Sequence, residues 1–201
     1  MKQILEAVLE RRAEHLVARF RQFLPSDGRI LDVGAGTGHN AAAVERATRL
    51  VVVETDVARM RRTPRPLVLF GGRTLPFRDG AFAASLLLYV LHYARDPVRL
   101  LAEARRVSTG PVIVLQAIHH RDAIGRRLLP AWELLSGRLA FEVARRVGLV
   151  PPDCPLSLTP RCQLSHDDVV DIAARAGLRP RHIEQRGVRW LGVGSDLYVL
   201  A

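Results

Sequence analysis

A glycine-rich loop and two acidic residues are the part of the sequence best suited to chemistry. Residues 34–38 read Gly-Ala-Gly-Thr-Gly and directly follow an apolar run. Alternating glycines let the backbone approach a ligand closely, and a helix that starts after them presents N–H groups to it. Asp32 precedes the loop, and Glu54 ends the next apolar run, where a carboxylate can bind both hydroxyls of a ribose. The pattern indicates a nucleoside-type ligand, although a tight turn that binds nothing, with Glu54 at a solvated strand end, would have the same sequence.

The elements around this loop alternate between apolar runs and helical segments. The apolar runs cover residues 29–33, 50–53, 67–70, 83–89, 112–117, 181–185 and 197–200. The helical segments cover residues 2–23, 39–47, 57–62, 96–107 and 165–177. Runs that are apolar at nearly every position are typical of parallel strands buried on both faces, with helices as crossovers. We therefore predict an α/β fold with helices on both faces of a sheet that an antiparallel pair closes.

The composition describes one domain without an evident membrane or export segment. The chain has 201 residues, of which 48% are hydrophobic and 25% charged. No run reaches the roughly 18 apolar residues of a membrane span, and the N-terminal segment lacks the apolar core of a signal peptide. Cys154 and Cys162 have no metal-binding or redox spacing. We expect a single cytoplasmic domain, residues 1–201, with no metal site.

The net charge of +10 suggests a nucleic-acid partner at first sight. Of the 30 basic residues, however, Lys2 is the one lysine and the others are arginines spread along the whole chain. A surface selected for phosphate contact usually mixes both residue types, since lysine serves well as a point charge. The charge therefore indicates a compositional bias, and we do not expect a nucleic-acid partner.

Several segments together resemble the class I S-adenosylmethionine-dependent methyltransferases. Residues 30–38, ILDVGAGTG, are similar to the cofactor loop of that family, and residues 51–56, VVVETD, to its second motif. Further similarity occurs at residues 75–82, 91–97, 100–107 and 164–178. The last of these segments resembles the final helix of the type 11, or quinone-biosynthesis-like, small-molecule group.

The resemblance implies a fold, a cofactor and a set of residues that bind it. The fold is a Rossmann-like, doubly wound, seven-stranded sheet whose last strand is antiparallel, and the cofactor is S-adenosylmethionine. In the family, Asp32 would lie near the methionine amino group, Glu54 at the ribose hydroxyls and Thr55 beside the adenine. The implied cofactor-binding residues are Asp32, Gly34, Ala35, Gly36, Thr37, Gly38, Glu54, Thr55, Gly71, Gly72 and Leu88.

Two positions depart from the family pattern. The family usually has an acid after the third strand that binds the adenine amino group, whereas this chain has Gly71 and Gly72. It also has a Phe-Asp pair at the fourth strand, whereas this chain has Phe82 and Ala83. We expect the two missing acids to weaken cofactor binding, or to mark a member that binds the cofactor without catalysis.

Two histidines at strand ends are candidate catalytic residues. Methyl transfer from a sulfonium is an in-line displacement in which the protein mainly aligns the acceptor, but a hydroxyl acceptor also benefits from a general base. His119 directly follows the fifth apolar run, and His92 follows the fourth by a few residues. Both would lie at the carboxyl edge of the sheet, where ligands of open α/β folds bind. Packing of His92 on the sheet and solvation of His119 are the structural alternatives.

Residues 119–163 interrupt the alternating pattern and are expected to form an insert or lid over the acceptor site, together with the helix at 2–23. An apolar stripe flanked by arginines between 119 and 150 could cover a hydrophobic acceptor, contact a membrane surface or pack on its own domain. The fourth run ends in Leu-Leu-Tyr-Val, and not in the Asn-Pro-Pro-Tyr-like motif that serves amine nucleophiles of DNA bases and protein glutamine.

These features favour a methyltransferase that acts at oxygen or carbon of a small, apolar or aromatic acceptor. An RNA-directed methyltransferase and a degenerate cofactor-binding protein without catalysis are the alternatives. The sequence does not indicate an oligomeric state.

Overall fold

One mixed sheet runs through the part of the chain that the computed structural model describes, which is residues 2–56, 67–119, 146, 162–186 and 193–201. Its seven strands are β1 (Arg29–Val33), β2 (Val51–Asp56), β3 (Leu67–Leu69), β4 (Ala84–Leu88), β5 (Val112–His119), β6 (Pro180–Glu184) and β7 (Val193–Leu200). They lie in the order β3-β2-β1-β4-β5-β7-β6, and β7 is antiparallel to both of its neighbours. The predicted seven-stranded α/β sheet with an antiparallel last strand is therefore confirmed.

Four α-helices are described, and two of them start where the sequence has a capping residue. They are α1 (Lys2–Phe20), α2 (His39–Thr48), α3 (Pro97–Val107) and α4 (His166–Arg175). The Asp96 side chain accepts a hydrogen bond from Arg99 N–H at the start of α3, and Ser165 and Asp168 form a reciprocal capping box at the start of α4. Within the described ranges, no helix is long and apolar enough to span a membrane.

The helices cover both faces of the sheet and bury two apolar layers. Helices α1 and α2 pack on one face, where Leu86 of β4 lies in the same cluster as Val17 and Val44. Helices α3 and α4 pack on the other face, where the next residue, Leu87, lies in a cluster with Leu101. Because successive strand residues point to opposite faces, a strand covered on both sides is apolar at every position. Burying such a leucine side chain stabilises the fold by about 1.5–3 kcal/mol.

Some element boundaries differ from the sequence prediction. The first helix ends at Phe20 and continues as a 3₁₀ turn, residues 21–23, instead of remaining α-helical to residue 23. Strand β7 begins at Val193, four residues before the predicted start, because its pairing with β5 extends from Val112↔Leu200 to His119↔Val193. The predicted helix at 57–62 and nearly all of the predicted insert at 119–163 lie outside the described residues.

Candidate functional site

The glycine loop leads from the end of β1 into α2 and is hydrogen-bonded to the end of β2. The N–H groups of Gly34 and Ala35 donate to Thr55 O, at 2.8 and 3.2 Å. The N–H group of Gly36 donates to Oδ2 of Asp56 at 2.9 Å. These three bonds hold the loop at the carboxyl edge of the sheet, which is the edge where open α/β folds bind their ligands.

The backbone conformation of the loop requires glycine. Gly34, Gly36 and Gly38 have φ angles of 76°, 54° and 85°, in the left-handed region that side chains disfavour. At Gly34 a Cβ atom would also lie 2.6 Å from Cγ2 of Val90, whereas at Gly36 it would meet only Gly34 O, at 3.9 Å. The glycine at 34 therefore allows close packing against the segment after β4, and the glycine at 36 borders open space.

Two acids lie on β2, and one of them is hydrogen-bonded to the loop. Glu54 is in register with Asp32 of β1, and both are only 1% exposed. Asp56 lies two residues further, on the same face because strand side chains repeat every two residues, and its carboxylate contacts Gly36. Glu54 is therefore buried in the sheet and is not a solvated strand end. Sequence reasoning missed Asp56, although a second acid two positions after Glu54 was the available signal.

Thr55, Gly71 and Gly72 are the other cofactor-binding residues predicted at the β2–β3 edge, and they differ in exposure. Thr55 is fully buried, and its hydroxyl donates to Val68 O on β3 at 2.8 Å, so this side chain holds the sheet together. Phe70 N–H donates to Asp56 O at 3.1 Å, so the chain after β3 lies beside Asp56 at the end of β2. Residues 71–72 follow at once and are exposed at the same edge. Their contact with a cofactor stays a prediction.

The second missing acid lies at the opposite edge of the sheet. Ala83 N–H donates to the carbonyl of Arg29, the first residue of β1, at 2.8 Å. At about 3.3 Å per strand residue, this position is about 13 Å from the end of β1. A Cβ atom at Gly110 would lie 2.2 Å from Ala83 O, so the chain is tightly packed there. Position 83 is therefore remote from the loop, and an effect of the missing acid on cofactor binding stays a prediction.

A cavity of about 170 Å³ lies between α1, the glycine loop and the end of β4. Its walls are formed by Leu9, Arg12, Leu16, Gly34, Ala35, Gly36, Thr37, His39, Asn40, Leu88 and Tyr89. The structure thus brings five of the predicted cofactor-binding residues to one cavity: Gly34, Ala35, Gly36, Thr37 and Leu88. Helix α1 forms a wall of the cavity, as the sequence had suggested for the helix at 2–23.

Polar contacts connect α1 to the loop. Nε2 of His39 lies 2.9 Å from a carboxylate oxygen of Glu6, and Nδ1 of the same ring lies 2.9 Å from the Thr37 hydroxyl. The His39 side chain is only 7% exposed, so this bridge is largely shielded from water. The bridge connects the start of α1 directly to the glycine loop.

Tyr89 has an unusual backbone conformation beside the cavity. Its φ angle is 59°, which is uncommon for a residue other than glycine, and its N–H group donates to Leu115 O at 2.7 Å. The Arg12 guanidinium lies over the Tyr89 ring, 5.5 Å from its centroid. Residues in such conformations concentrate at ligand sites, where the surrounding structure holds them.

Neither of the two candidate catalytic histidines is among the described residues that line the cavity. His92 is buried in the 3₁₀ turn after β4, and Nε2 of Gln116 lies 2.7 Å from its Nδ1 and 3.2 Å from Ala117 O. With the amide nitrogen of Gln116 in this position, Nδ1 of His92 would accept its hydrogen bond, and we predict that the proton of the neutral ring is on Nε2. The backbone of His119 ends β5, and its side chain lies outside the described residues. A general-base role for either histidine stays a prediction.

Cysteine chemistry and metal binding find no support in the described ranges. Burial raises the pKa of the Cys162 thiol, so the group is protonated and weakly nucleophilic near neutral pH. No group of three or more His, Cys, Asp or Glu side chains in those ranges could hold a metal ion.

Comparison with known proteins shows a methyltransferase domain in the part of the chain that holds this site. Residues 31–114 match the family model described as "Methyltransferase domain", of the type 11 group. "Uncharacterized protein MJ1123" of Methanocaldococcus jannaschii is 27% identical over 100 residues, which are 49% of this chain and 49% of that protein. The chain thus spans about half the length of the curated relative that it matches.

Solved structures share the fold over nearly the whole chain. The [4+2]-cyclase SpnF has a TM-score of 0.67 at 16% identity, covering 93% of this chain and 79% of that one. A putative methyltransferase from Bacillus halodurans has a TM-score of 0.62 at 13% identity, with 92% and 96% covered. Geranyl diphosphate C-methyltransferase from Streptomyces coelicolor, solved with S-adenosyl-L-homocysteine, has a TM-score of 0.62 at 14% identity, with 95% and 78% covered. Residues 31–114 thus match a type 11 methyltransferase domain, and the chain has the fold of these solved structures, one of which holds S-adenosyl-L-homocysteine.

Proposed function

We propose that the chain transfers the methyl group of S-adenosylmethionine to oxygen or carbon of a small, apolar or aromatic acceptor. The observation that carries this proposal is the cavity at the glycine loop, in which Leu9, Leu16 and Leu88 lie opposite the loop backbone. Small-molecule sites combine apolar side chains with polar groups that fix the orientation of the ligand, and this cavity has both kinds of wall. One solved structure with this fold is a geranyl diphosphate C-methyltransferase, which supports a small acceptor and methylation at carbon.

The residues at this edge fit the cofactor. A Cβ atom at Gly36 would have no neighbour closer than 3.9 Å, so the loop borders space in which a ligand can approach its backbone. We assign the ribose hydroxyls to Asp56, because its carboxylate contacts Gly36 of the loop, whereas Glu54 is in register with Asp32; both acids are buried, at 6% and 1% exposure. When bound, S-adenosylmethionine supplies an electrophilic methyl group, and the task of the protein is to hold the acceptor in line with it.

The acceptor would bind beside the cofactor, between α1 and the residues after β4 and β5. In this proposal Leu9 and Leu16 contact the apolar part of the acceptor. Residues 119–163, which lie outside the described ranges, would form the remaining wall. A peripheral membrane contact through 119–150 stays a prediction of the sequence.

Cofactor binding and turnover are tested in two steps. Calorimetry should detect S-adenosylmethionine binding by the wild type and by R175A, a control at an exposed position on α4. G36V should abolish it, because a bulky side chain would occupy the space beside the loop. Incubation with methyl-labelled cofactor and fractionated cell extract should then label a small organic molecule. Absence of binding at high micromolar cofactor would overturn the proposal, as would a labelled macromolecule with no labelled small molecule.

A cofactor-binding protein without methyl transfer is the second candidate. Residues 71–72 favour it, since glycines stand at the carboxyl edge where the family usually has an acid. Binding without labelled product from any fraction would support this candidate. An RNA-directed activity has weaker support, because Arg12 is the one arginine among the described residues that line the cavity. A salt-dependent gel shift with structured RNA would favour that activity.

A further inference from the structure

We propose that Arg12 of α1 binds the carboxylate at the amino-acid end of S-adenosylmethionine, so that the N-terminal helix is part of the cofactor site. The inference deepens the proposed function and rests on it. Neither the cofactor loop nor the strand motifs include Arg12, and the residue lies in the cavity wall opposite the loop.

Helix α1 is held in place on both sides of Arg12. On the N-terminal side, Glu6 pairs with the largely buried His39 at 2.9 Å. On the C-terminal side, the buried Arg19 side chain donates to the hydroxyl and carbonyl oxygens of Ser195, at 2.8 and 2.9 Å. The next residue after Arg12, Ala13, is only 1% exposed and packs into the core. The backbone of Arg12 is therefore fixed relative to the glycine loop.

The guanidinium of Arg12 is oriented but not neutralised. It lies over the Tyr89 ring, 5.5 Å from the centroid, and Tyr89 is itself held by its hydrogen bond to Leu115 O. Within the described part of the chain, Arg12 forms no ion pair with a carboxylate, whereas Arg19 pairs with Glu184 and Arg106 with Glu103. Stacking on a ring uses the face of a guanidinium and leaves its N–H edge for bidentate contact with a carboxylate.

The size and position of the cavity indicate which end of S-adenosylmethionine it would hold. At about 170 Å³ it is smaller than the roughly 300–1,000 Å³ of sites that hold a whole drug-sized ligand. The cavity borders Gly34 and Gly36, whereas Asp56, which we assign to the ribose, contacts the loop from β2. A ligand that passes along the loop from Asp56 would therefore reach the cavity with its amino-acid end, and the group on that end that a guanidinium attracts is the carboxylate.

An anionic acceptor is the other possible source of a carboxylate at Arg12. The two sources are distinguished by comparing S-adenosylmethionine with its decarboxylated form, in the absence of acceptor. If Arg12 contacts the cofactor carboxylate, Arg12 strengthens the binding of S-adenosylmethionine but not that of the decarboxylated form. If Arg12 contacts an acceptor, its substitution leaves binding of both cofactor forms unchanged.

The test measures both cofactor forms by calorimetry with wild type, R12Q and R11A. Arg11 and Arg12 are both exposed, but only Arg12 lines the cavity, so R11A removes the same charge from α1 without changing the lining. We expect R12Q to bind S-adenosylmethionine about 10- to 100-fold more weakly, from loss of a charge-assisted hydrogen bond, and R11A to match the wild type. The affinity of R12Q for the decarboxylated form should stay within about twofold of wild type.

The inference is overturned by two results. Equal weakening of both cofactor forms in R12Q would mean that Arg12 only shapes the cavity, and unchanged binding of both would mean that it acts elsewhere. Thermal melts of R12Q and R11A identify a variant that does not fold, and in that case R12K, which keeps the charge but loses the planar fork, replaces R12Q and should show an intermediate loss. A wild type that binds neither form would instead refute the proposed function.

Discussion

The N–H group of Gly36 donates a hydrogen bond to Oδ2 of Asp56 over 2.9 Å, and this bond joins the glycine loop to the end of β2. A carboxylate has about four acceptor sites, so Asp56 can hold the loop and still accept hydrogen bonds from a ligand. Glu54, two residues earlier, is in register with Asp32 inside the sheet. The two acids therefore have different expected roles, although they are close in sequence and share a face of β2.

The first prediction separates the two acids by their effect on cofactor binding. D56N should weaken S-adenosylmethionine binding at least tenfold, because the amide offers one acceptor oxygen in place of two charged ones. E54Q should change the affinity less than about threefold if Asp56, which is hydrogen-bonded to the loop, makes the ribose contact. Calorimetry of both variants checks this order. If E54Q weakened cofactor binding more than D56N, the ribose contact would belong to Glu54.

The second prediction concerns the two glycines of the loop. G34A should lower the free energy of unfolding by about 2–4 kcal/mol, because it combines a positive φ with overlap against Val90. G36A should lower it by about 1–2 kcal/mol, from the positive φ alone. Urea unfolding measures both values. V90A introduced into G34A should recover part of the loss, and no recovery would contradict the proposed overlap.

The third prediction tests the attachment of α1 through Arg19. The Arg19 side chain is 5% exposed and contacts Glu184 and both oxygens of Ser195. R19M should lower the free energy of unfolding by about 2–4 kcal/mol, because it leaves the Ser195 groups without their donor. S195A removes one of these contacts and should cost about 1 kcal/mol. If the urea midpoint of R19M equals that of wild type, α1 is not held by this contact.

The fourth prediction is a pH dependence at Glu103, which anchors the segment after β3. Its carboxylate accepts hydrogen bonds from Leu75 N–H and from Arg106, each at 2.8 Å. The hydrogen bond from Arg106 lowers the pKa of Glu103 below its usual value, so the folded state favours the charged form. The resulting stability is present above the unfolded-state pKa of about 4.3 and is lost as the pH falls through the lower folded-state value.

The corresponding experiment compares wild type with E103Q in urea at two pH values. At pH 7 the variant should be less stable by about 1–2 kcal/mol, and the difference should shrink as the pH falls through the lowered pKa of Glu103, because the wild-type carboxylate then becomes protonated. A difference that is independent of pH would show that the charge of Glu103 contributes nothing.

The fifth prediction concerns the tautomer of His92. The amide of Gln116 donates to Nδ1 of His92, which requires the proton of the neutral ring to be on Nε2. Nitrogen-15 NMR at a pH where the ring is neutral should therefore show a protonated Nε2 and an unprotonated Nδ1. Q116L should remove this preference. A protonated Nδ1 in wild type would mean that the Gln116 amide is turned round, and would restore the candidate general base at Nε2.

The sequence by itself determined the architecture and the location of the cofactor loop. Apolar runs of strand length, a glycine loop after the first of them and capping residues such as Asp96 and Ser165 are local signals, and each forms the predicted element. Strand β7 was underestimated because Ser195 and Asp196 interrupt its apolar run, while its length follows from pairing with β5.

Only the tertiary structure decided which residues meet at the site. Glu54 and Asp56 share a face of β2, and the pairing of β1 with β2 brings Glu54 beside Asp32 and Asp56 into hydrogen-bond contact with Gly36. The position of Ala83 at the far edge and of Arg12 across the cavity likewise depends on how elements distant in sequence pack together. Local residue patterns encode strands and turns, but register and helix placement arise from long-range packing, which no local pattern contains.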